Sequence, residues 1–366
     1  FFQKFVYNNM KLDKKIMICR VCGSKSAKIY STVNLPECIW PTKKKTKFSK
    51  CHVYSCLKCF HLQLQNFSKK KISTFYGEKQ CNTEKYEINK RRLSSIKKIY
   101  GEDYLKNKKI LDVGGGVNPI MKGKNVFIAD IKIQKMNKDF YKNRYYEIDI
   151  EKKKIDQEFD IIFLIHTLEH FKYPKKAIKN IRNSLSNKGI LFIEIPNFNY
   201  MLKHKTYYSI FHQHLSMFSL KHLKNFFNLS GLKIDKLFEE SGIIFCSVKK
   251  INSKNNKILN IDNSKIFKQF IKNYNLMKKK ILNHLKKNKF NIYGAGGSMA
   301  LAIATNYEIK NNINKVFDSD PDKLHLNFPG TKKKILANKK IHKIKNFLSI
   351  SNYNLKKKNN LNIQKI

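Results

Sequence analysis

The stretch ILDVGGGVN, residues 110–118, decides the fold of this chain. Two apolar residues lead to Asp112 and a valine, and a run of three glycines follows at once. The pattern predicts a buried strand that ends in a tight turn and opens a helix. Gly114 and Gly116 lack a Cβ, so the backbone there can take positive φ angles and approach a ligand closely. An acidic residue before the glycines favours S-adenosylmethionine over a dinucleotide, although such a turn also occurs with no ligand.

Strand-like and helix-like segments alternate from residue 108 to about residue 250. The predicted strands after ILDVGG are NVFIADI, RYYEIDI, FDIIFLI and GILFIEIPN. Between the last two, AIKNIRNSLSN predicts a helix that ends at Lys188 and Gly189, a stop signal. Such alternation predicts an α/β fold with a parallel sheet, whose ligand loops lie at the carboxyl ends of the strands.

Three residues at predicted strand ends extend the candidate cofactor site beyond Asp112, Gly114 and Gly116. Asp130 lies near the end of NVFIADI, where an acidic side chain can accept both hydroxyls of a ribose. Asp149 lies near the end of the next predicted strand, RYYEIDI, near an adenine-edge position. His166 follows FDIIFLI, and we interpret it, with its neighbours Glu169 and His170, as lining the cofactor; direct catalysis is the alternative.

Two Cys-x-x-Cys pairs predict a structural zinc site in the N-terminal region. Each pair can direct two thiolates at one ion, and together they give a closed tetrahedral site; the ligands are Cys19, Cys22, Cys56 and Cys59. Four ordinary reduced cysteines are the alternative, and one ligand could be replaced by Cys51, His52 or His61. The single cysteines are expected to be packed in the interior; they are Cys38, Cys81 and Cys246.

The formal net charge of +49 would by default suggest a nucleic-acid binder. The basic residues are 70 lysines and only 5 arginines, and they are spread along the chain rather than massed in one arm. Arginine is the residue favoured for bidentate phosphate and base-edge contacts. An excess of Lys, Asn, Ile, Tyr and Phe is typical of an A+T-rich genome, so we interpret the charge as a solvated surface. No specific nucleic-acid partner is expected, with RNA or an anionic membrane as the alternative.

The sequence contains no run of 18 or more apolar residues, so no transmembrane helix is expected. The first ten residues, FFQKFVYNNM, lack the long apolar core and cleavage site of a signal peptide. Cys-x-x-Cys pairs without an export signal favour metal ligands over disulfides. We therefore expect a cytoplasmic protein that does not contact a membrane.

A histidine pair lies in YYSIFHQHLSMFSL, residues 207–220, after a strand that ends at a proline. In an extended segment His212 and His214 would point to the same side. A neutral histidine there is a candidate general base near pH 7. The alternative is a pair of histidines packed in an aromatic cluster.

These motifs together resemble a known family. The Asp112 glycine loop, FD at residues 159–160, LEH at residues 168–170 and GILFIEIPN resemble a class I S-adenosylmethionine-dependent methyltransferase. The two cysteine pairs precede these motifs, and the segment with His212 and His214 follows them. NIYGAGGSMALAIATNYE and KVFDSDPDKLHLNFPGT come further on. With all of these motifs, the chain resembles the sugar C-methyltransferases that act on nucleotide-linked ketosugars. The resemblance implies a zinc-binding domain at 16–75, a Rossmann-like methyltransferase domain at 76–250, a C-terminal Rossmann-like α/β domain at 251–350 and a tail at 351–366.

The resemblance also implies roles for individual residues. His214 matches the family's proposed base, His212 lies beside it, and Tyr76 would supply a hydroxyl. The substrate would be a nucleotide-linked 4-keto-deoxysugar, with dTDP the expected nucleotide, and the protein a monomer or a weak homo-oligomer. Gln213 stands where the family has Glu, and Phe211 and Met217 stand where it has Tyr. These departures leave two alternatives: methylation of another acceptor, or a vestigial enzyme that binds RNA or a partner.

Overall fold

The structure is a computed structural model. It describes residues 17–67, 86–116, 118–204, 210, 212–240, 242–251, 285–337, 347–349 and 363–365, with single positions between 272 and 283. Tyr76, Cys81 and Phe211 lie outside the described residues. Among the described helices, none is both long enough and apolar enough to cross a membrane.

The described strands and helices follow one another in chain order. The strands are β1 (Ala27–Pro36), β2 (Phe48–Cys56), β3 (Leu62–Leu64), β4 (Ile110–Val113), β5 (Val126–Asp130), β6 (Tyr145–Glu147), β7 (Phe159–Ile165), β8 (Leu185–Pro196), β9 (Ser216–Met217), β10 (Leu232–Glu240), β11 (Ile243–Lys250), β12 (Phe290–Tyr293), β13 (Ile313–Asp318), β14 (Ile335–Ala337), β15 (Phe347–Ser349) and β16 (Ile363–Lys365). The helices are α1 (Tyr86–Tyr100), α2 (Lys135–Tyr141), α3 (Pro174–Ser184), α4 (Phe198–Lys203), α5 (Leu220–Asn228) and α6 (Gly297–Thr305).

The central sheet has seven strands in the order β10-β11-β8-β7-β4-β5-β6. Strands β4 to β8 run parallel, and β11 runs antiparallel to both β8 and β10. All four residues of β4 are buried, as expected of a parallel strand covered on both faces. Chain order reverses between β4 and β7, and such a switch point opens a ligand crevice at the carboxyl ends of the strands. The predicted Rossmann-like α/β core is therefore confirmed.

Strands β1 to β3 of the N-terminal region form a four-stranded antiparallel sheet with β9, in the order β1-β2-β3-β9. Its last strand comes from far along the chain, because Leu62 pairs with Met217 and Gln63 pairs with Ser216. A core of buried apolar side chains covers this sheet, and Leu301 of α6 belongs to it. Residues 216–217 thus complete the first sheet although they lie within the range predicted for the methyltransferase domain.

The C-terminal region forms a parallel sheet in the order β14-β13-β12-β15-β16. A glycine turn lies between β12 and α6, and Gly294 takes a φ of +92°. Asp318, at the end of β13, accepts a hydrogen bond from the backbone N–H of Ala295 at 2.6 Å. Lys323 Nζ lies 3.2 Å from the same carboxylate. Asp318 therefore joins the end of β13 to the glycine turn.

The predicted end of the helix before β8 is wrong. The sequence placed the stop at Lys188 and Gly189, whereas α3 ends at Ser184. Leu185 takes an extended conformation, is fully buried and pairs with Phe159 of β7. Strand pairing and burial of Leu185 therefore outweigh the local stop signal.

Candidate active site

The glycine loop after β4 packs tightly against two neighbouring segments. The backbone N–H of Gly114 donates to the carbonyl of Ala129 at 2.7 Å. A Cβ on Gly114 would lie 2.2 Å from Thr167 Oγ1, and one on Gly116 would lie 2.5 Å from the carbonyl oxygen of Lys132. Since real Cβ atoms do not approach so closely, the loop requires glycine at both positions.

Asp112 holds the shape of this loop from inside. Its side chain is buried, and Oδ2 accepts a hydrogen bond from the backbone N–H of Ile120 at 2.7 Å. Burial raises the pKa of Asp112 to about 7. Asp112 therefore braces the loop through its hydrogen bond with Ile120.

Asp130 lies at the end of β5, directly beside the loop. Its two carboxylate oxygens accept hydrogen bonds from the backbone N–H groups of Gly116 at 3.1 Å and Lys132 at 3.3 Å. Burial raises the pKa of Asp130 above its ordinary value. A carboxylate has about four lone-pair sites, so Asp130 retains capacity to accept ribose hydroxyls. Asp149 lies after the neighbouring strand β6, where it pairs with Lys152.

His166 follows β7 in a left-handed conformation, with a φ of +46°. Its Nε2 lies 3.0 Å from Glu194 Oε1, and its Nδ1 lies 3.3 Å from Glu169 Oε1. Burial disfavours the charged ring, but the two carboxylates outweigh burial and raise the pKa of His166 to about 10. A cationic His166 thus joins the end of β8 to the turn that carries Glu169.

Glu194 is paired with a buried arginine that the sequence analysis did not single out. Arg92 of α1 donates from Nη2 to Oε1 at 2.6 Å and from Nε to Oε2 at 3.0 Å. Its Nη1 donates to Asn89 Oδ1 at 2.7 Å. Burial opposes ionisation of Glu194, but His166 and Arg92 prevail and lower its pKa to about 2. This network fixes α1 against the carboxyl end of the central sheet.

His212 lies in a turn and His214 in the loop that follows it, so the two histidines do not share one extended segment. His212 and Gln213 form a turn before β9. His170 Nδ1 lies 2.7 Å from the carbonyl oxygen of Gln213, which fastens the turn to the LEH segment. The ring centroids of His170 and His214 are 5.0 Å apart. The turn therefore brings His214 to face His170.

His214 faces a small cavity with Glu169. The other lining residues are mostly apolar and include Phe198, Met201 and Met217. Burial and the neighbouring imidazoles of His170, His166 and His212 hold the pKa of His214 well below its ordinary value. His214 is therefore neutral near pH 7 and can accept a proton. His212 is buried and does not line this cavity.

The four cysteines predicted as metal ligands lie together. Their sulfur atoms are all within 4.8 Å of one another. The Sγ atoms of Cys19 and Cys59, and those of Cys22 and Cys56, are each 3.6 Å apart. Zn–S bonds of about 2.3 Å in a tetrahedron separate two sulfurs by about 3.8 Å. The cluster thus has the size of a tetrathiolate zinc site, and the alternative ligands Cys51, His52 and His61 are not part of it.

A second buried arginine, Arg20, connects this cysteine cluster to the segment that follows the turn at His212 and Gln213. Arg20, between Cys19 and Cys22, is 5% exposed. Its Nη1 donates to the carbonyl oxygens of Leu64 at 2.9 Å and Leu215 at 2.8 Å. The guanidinium also donates to Asn66 and to the carbonyl of Lys172. The first cysteine pair is therefore tied to the residue that follows His214 and to the segment just after LEH.

The comparisons with known proteins agree with this core. Residues 85–237 match a family model described as a methyltransferase domain. These residues make up less than half of the chain. An uncharacterized protein of Methanocaldococcus jannaschii is 30% identical over 131 residues, which are 34% of this chain and 55% of that protein. The chain thus spans about half the length of this curated relative.

Solved structures give only a general likeness. A S-adenosylmethionine-dependent methyltransferase from Clostridium acetobutylicum is 15% identical and covers 45% of this chain and 92% of its own, with a TM-score of 0.37. The Burkholderia thailandensis 1,6-didemethyltoxoflavin-N1-methyltransferase is 11% identical and covers 54% and 98%, with a TM-score of 0.39. The matched family model indicates that residues 85–237, which include the parallel strands β4 to β8, form a methyltransferase domain.

Proposed function

We propose that this methyltransferase domain methylates a carbon of a nucleotide-linked 4-keto-deoxysugar, with dTDP as the expected nucleotide. The observation that carries the proposal is a neutral His214 that shares a largely apolar cavity with Glu169. The glycine loop packs against Thr167, which lies two residues before Glu169 in the chain. A base and a methyl-donor site therefore adjoin at the switch point of the sheet.

The residues that would hold S-adenosylmethionine are those of the glycine loop and the adjoining strand ends. Gly114 and Gly116 allow the close packing of the loop, Asp112 braces it, and Asp130 has lone pairs left for ribose hydroxyls. Asp149, which follows strand β6, would contact the edge of the adenine ring. S-adenosylmethionine, when bound, supplies an electrophilic methyl group on sulfur.

The proposed role of His214 is to take the proton from the carbon next to the ketone. The carbon that has lost this proton would take the methyl group that bound S-adenosylmethionine would supply, and His214 would then release its proton to water. General-base assistance of this kind contributes roughly 10²–10⁴-fold. Phe198 and Met201 contribute to the apolar lining of the cavity beside His214.

We also propose that one zinc ion binds the four cysteines as a structural site. All four are protein thiolates, which close the coordination sphere and leave no position for a substrate. Arg20 then fastens this site to Leu215, next to His214. Zinc would therefore stabilise the segment that carries the base.

Methylation of another acceptor is the second candidate. Met217 lines the cavity, and the sugar C-methyltransferases that the chain resembles have a tyrosine at this position. The cavity wall therefore offers a thioether in place of a hydroxyl. An acceptor with fewer hydroxyls, or a different sugar, would fit such a wall. Product mass and the position of a labelled methyl group distinguish the two.

The first experiment is calorimetric titration of the zinc-loaded protein with S-adenosylmethionine. Micromolar binding that Asp130→Ala weakens and that Glu102→Gln, a surface change, leaves intact would support the cofactor site. Exchange of a substrate C–H for deuterium in D₂O would then test the base, with His214→Ala as the variant expected to abolish it. Absence of binding at millimolar ligand would instead favour a vestigial domain that binds RNA or a partner.

A further inference from the structure

One wall of the cavity beside His214 is a short segment, residues 215–219, which we call the wall segment. Its three middle residues line the cavity; they are Ser216, Met217 and Phe218. The first two of them form β9, which pairs with β3 of the N-terminal sheet. The position of the wall segment therefore sets the shape of the cavity on this side.

The first end of the wall segment is held by the first cysteine pair. Arg20 lies inside this pair and donates from Nη1 to the carbonyl oxygen of Leu215 at 2.8 Å. The backbone N–H of Arg20 also donates to Gln63 Oε1 at 2.8 Å, and Gln63 pairs with Ser216. Both contacts fix the path of the chain where the wall segment begins.

The other end of the wall segment is joined to the second cysteine pair through His222. This histidine lies in the first turn of α5 and is 2% exposed, and its Nε2 lies 3.0 Å from the carbonyl oxygen of Cys59. Its Nδ1 lies 2.9 Å from the hydroxyl oxygen of Ser219, the last residue of the wall segment. Ser219 also caps α5, because its hydroxyl accepts a hydrogen bond from the backbone N–H of His222. A continuous chain of hydrogen bonds thus runs from Cys59 to the wall segment.

The two partners of His222 determine which ring nitrogen carries the hydrogen. A carbonyl oxygen can only accept, so Nε2 is the donor to Cys59. In the neutral ring Nδ1 then accepts, and the hydroxyl of Ser219 donates to it. The opposite tautomer would place two acceptors 3.0 Å apart, at Nε2 and the carbonyl oxygen. The link therefore exists in one tautomer of the neutral ring.

Packing of a second histidine supports the same link. His61, two residues after Cys59, is fully buried. Its ring centroid lies 5.2 Å from that of His222 and 5.2 Å from that of Phe218 in the wall segment. The second cysteine pair therefore adjoins the wall segment by aromatic packing as well as by hydrogen bonds.

We propose that His222 is a positioning residue that couples metal binding at the four cysteines to the wall of the cavity. When the two cysteine pairs are joined by the metal, Arg20 sets the position of Leu215 and His222 sets that of Ser219. The wall segment is then held at both ends. The inference rests on the proposed metal site at the cysteines and not on the identity of the methyl acceptor.

The first test is the zinc affinity of full-length variants, measured by competition with a chelating indicator without S-adenosylmethionine or an acceptor. His222→Phe keeps a ring but removes both hydrogen bonds. We expect its zinc affinity to fall by about tenfold or more, because contacts that support metal ligands typically contribute about 10–100-fold. His222→Gln retains an amide N–H that can donate to Cys59 and should recover part of the loss. His204→Phe, at an exposed histidine, is the control and should match the native protein.

Hydrogen exchange of the wall segment is the second test, because a histidine that only fills space would not connect this segment to the metal. In the native protein we expect the amides of the wall segment to exchange faster after a chelator has removed zinc. In zinc-loaded His222→Phe we expect faster exchange near Ser219 but not near Leu215, which Arg20 still holds. The ¹⁵N signals of the native His222 ring should show the hydrogen on Nε2.

Native zinc affinity in folded His222→Phe would overturn the proposal, and so would exchange of the wall segment that does not respond to zinc. A native protein that binds no zinc would remove the proposed metal site and this inference together. Failure to bind S-adenosylmethionine, or to transfer a methyl group, would remove the proposed enzymatic function and leave the zinc and exchange results intact. Thermal unfolding shows whether each variant is folded. If His222→Phe does not fold, His222→Gln and the exchange of the native protein decide.

Discussion

Arg20 Nη1 donates a hydrogen bond to the carbonyl oxygen of Leu215 at 2.8 Å. One partner lies between two cysteines of the metal-ligand cluster, and the other follows His214 directly. The same nitrogen also bonds Leu64 of β3. The position of the candidate base is therefore mechanically linked to the cysteine cluster through one side chain.

Replacing this arginine should destabilise the protein even when the charge is kept. Lysine cannot reproduce the five fixed donors of a guanidinium, and hydrogen bonds to charged donors contribute about 1.5–3 kcal/mol each. We expect Arg20→Lys to lower the free energy of unfolding by about 3 kcal/mol, measured by denaturant titration. Arg91→Lys, whose side chain is 40% exposed, is the control and should change little. Equal stability of the two variants would contradict the link.

The Arg92–Glu194 pair predicts a large cost for removing one partner. Both side chains are almost fully buried. Breaking a buried ion pair from one side typically costs 3–5 kcal/mol, because the other charge remains without its partner. We expect Glu194→Gln to lower the free energy of unfolding by about that amount. Glu102→Gln breaks the exposed ion pair with Lys97, and we expect no measurable change.

The glycine loop predicts a contrast between two similar substitutions. Gly114→Ala places a methyl group 2.2 Å from Thr167 Oγ1 and forces a side chain into a φ of +92°. A left-handed conformation alone costs about 1–2 kcal/mol, so we expect S-adenosylhomocysteine binding to weaken by about tenfold or more. Gly296→Ala meets nothing within 4 Å and should leave binding unchanged. Isothermal titration of both variants measures the difference.

His166 predicts a particular pH dependence of stability. The pKa of His166 is raised from 6.5 to about 10 in the folded chain, so the folded state binds this proton more tightly than the unfolded state does. The stability that this gives is fully present below pH 6.5 and is lost as the pH rises through about 10. The stability gap between the native protein and His166→Gln should therefore shrink over this window. Denaturant midpoints measured across it provide the test, and a constant gap would refute the raised pKa.

The cysteine cluster predicts about one zinc ion per chain by elemental analysis. Since metal binding to such sites is coupled to folding, removal by a chelator should lower the thermal unfolding midpoint. Cys56→Ser should lose the ion, whereas Cys38→Ala, outside the cluster, should retain it. Retention of the metal by Cys56→Ser would mean that other ligands hold it.

Strands β4, β7 and β8 were predictable because most of their residues are buried and form continuous apolar runs in the sequence. The end of α3 was not, because pairing of Leu185 with β7 depends on a residue far along the chain. The turn at His212 likewise depends on contacts with the LEH segment, which lies about 40 residues earlier, as the 43-residue separation of His170 and Gln213 shows. Tertiary contacts decided each feature that the local pattern missed.

The two buried arginines did leave a signal in the composition. In a chain with 70 lysines, each of the 5 arginines is a departure from the general pattern. Each of the five arginines makes a polar contact in the structure; they are Arg20, Arg91, Arg92, Arg144 and Arg182. Rare arginines in a lysine-rich chain are therefore good candidates for positions that need a planar fork of donors.

The pairing of β3 with β9 has a consequence for synthesis on the ribosome. The outer edge of β3 finds its partner only when residues 216–217 have emerged, about 150 residues after Leu64. At roughly 5–20 residues per second, this edge stays open for on the order of ten seconds. An open strand edge can pair with another chain. The nascent N-terminal sheet is thus a place where a chaperone would protect the growing polypeptide.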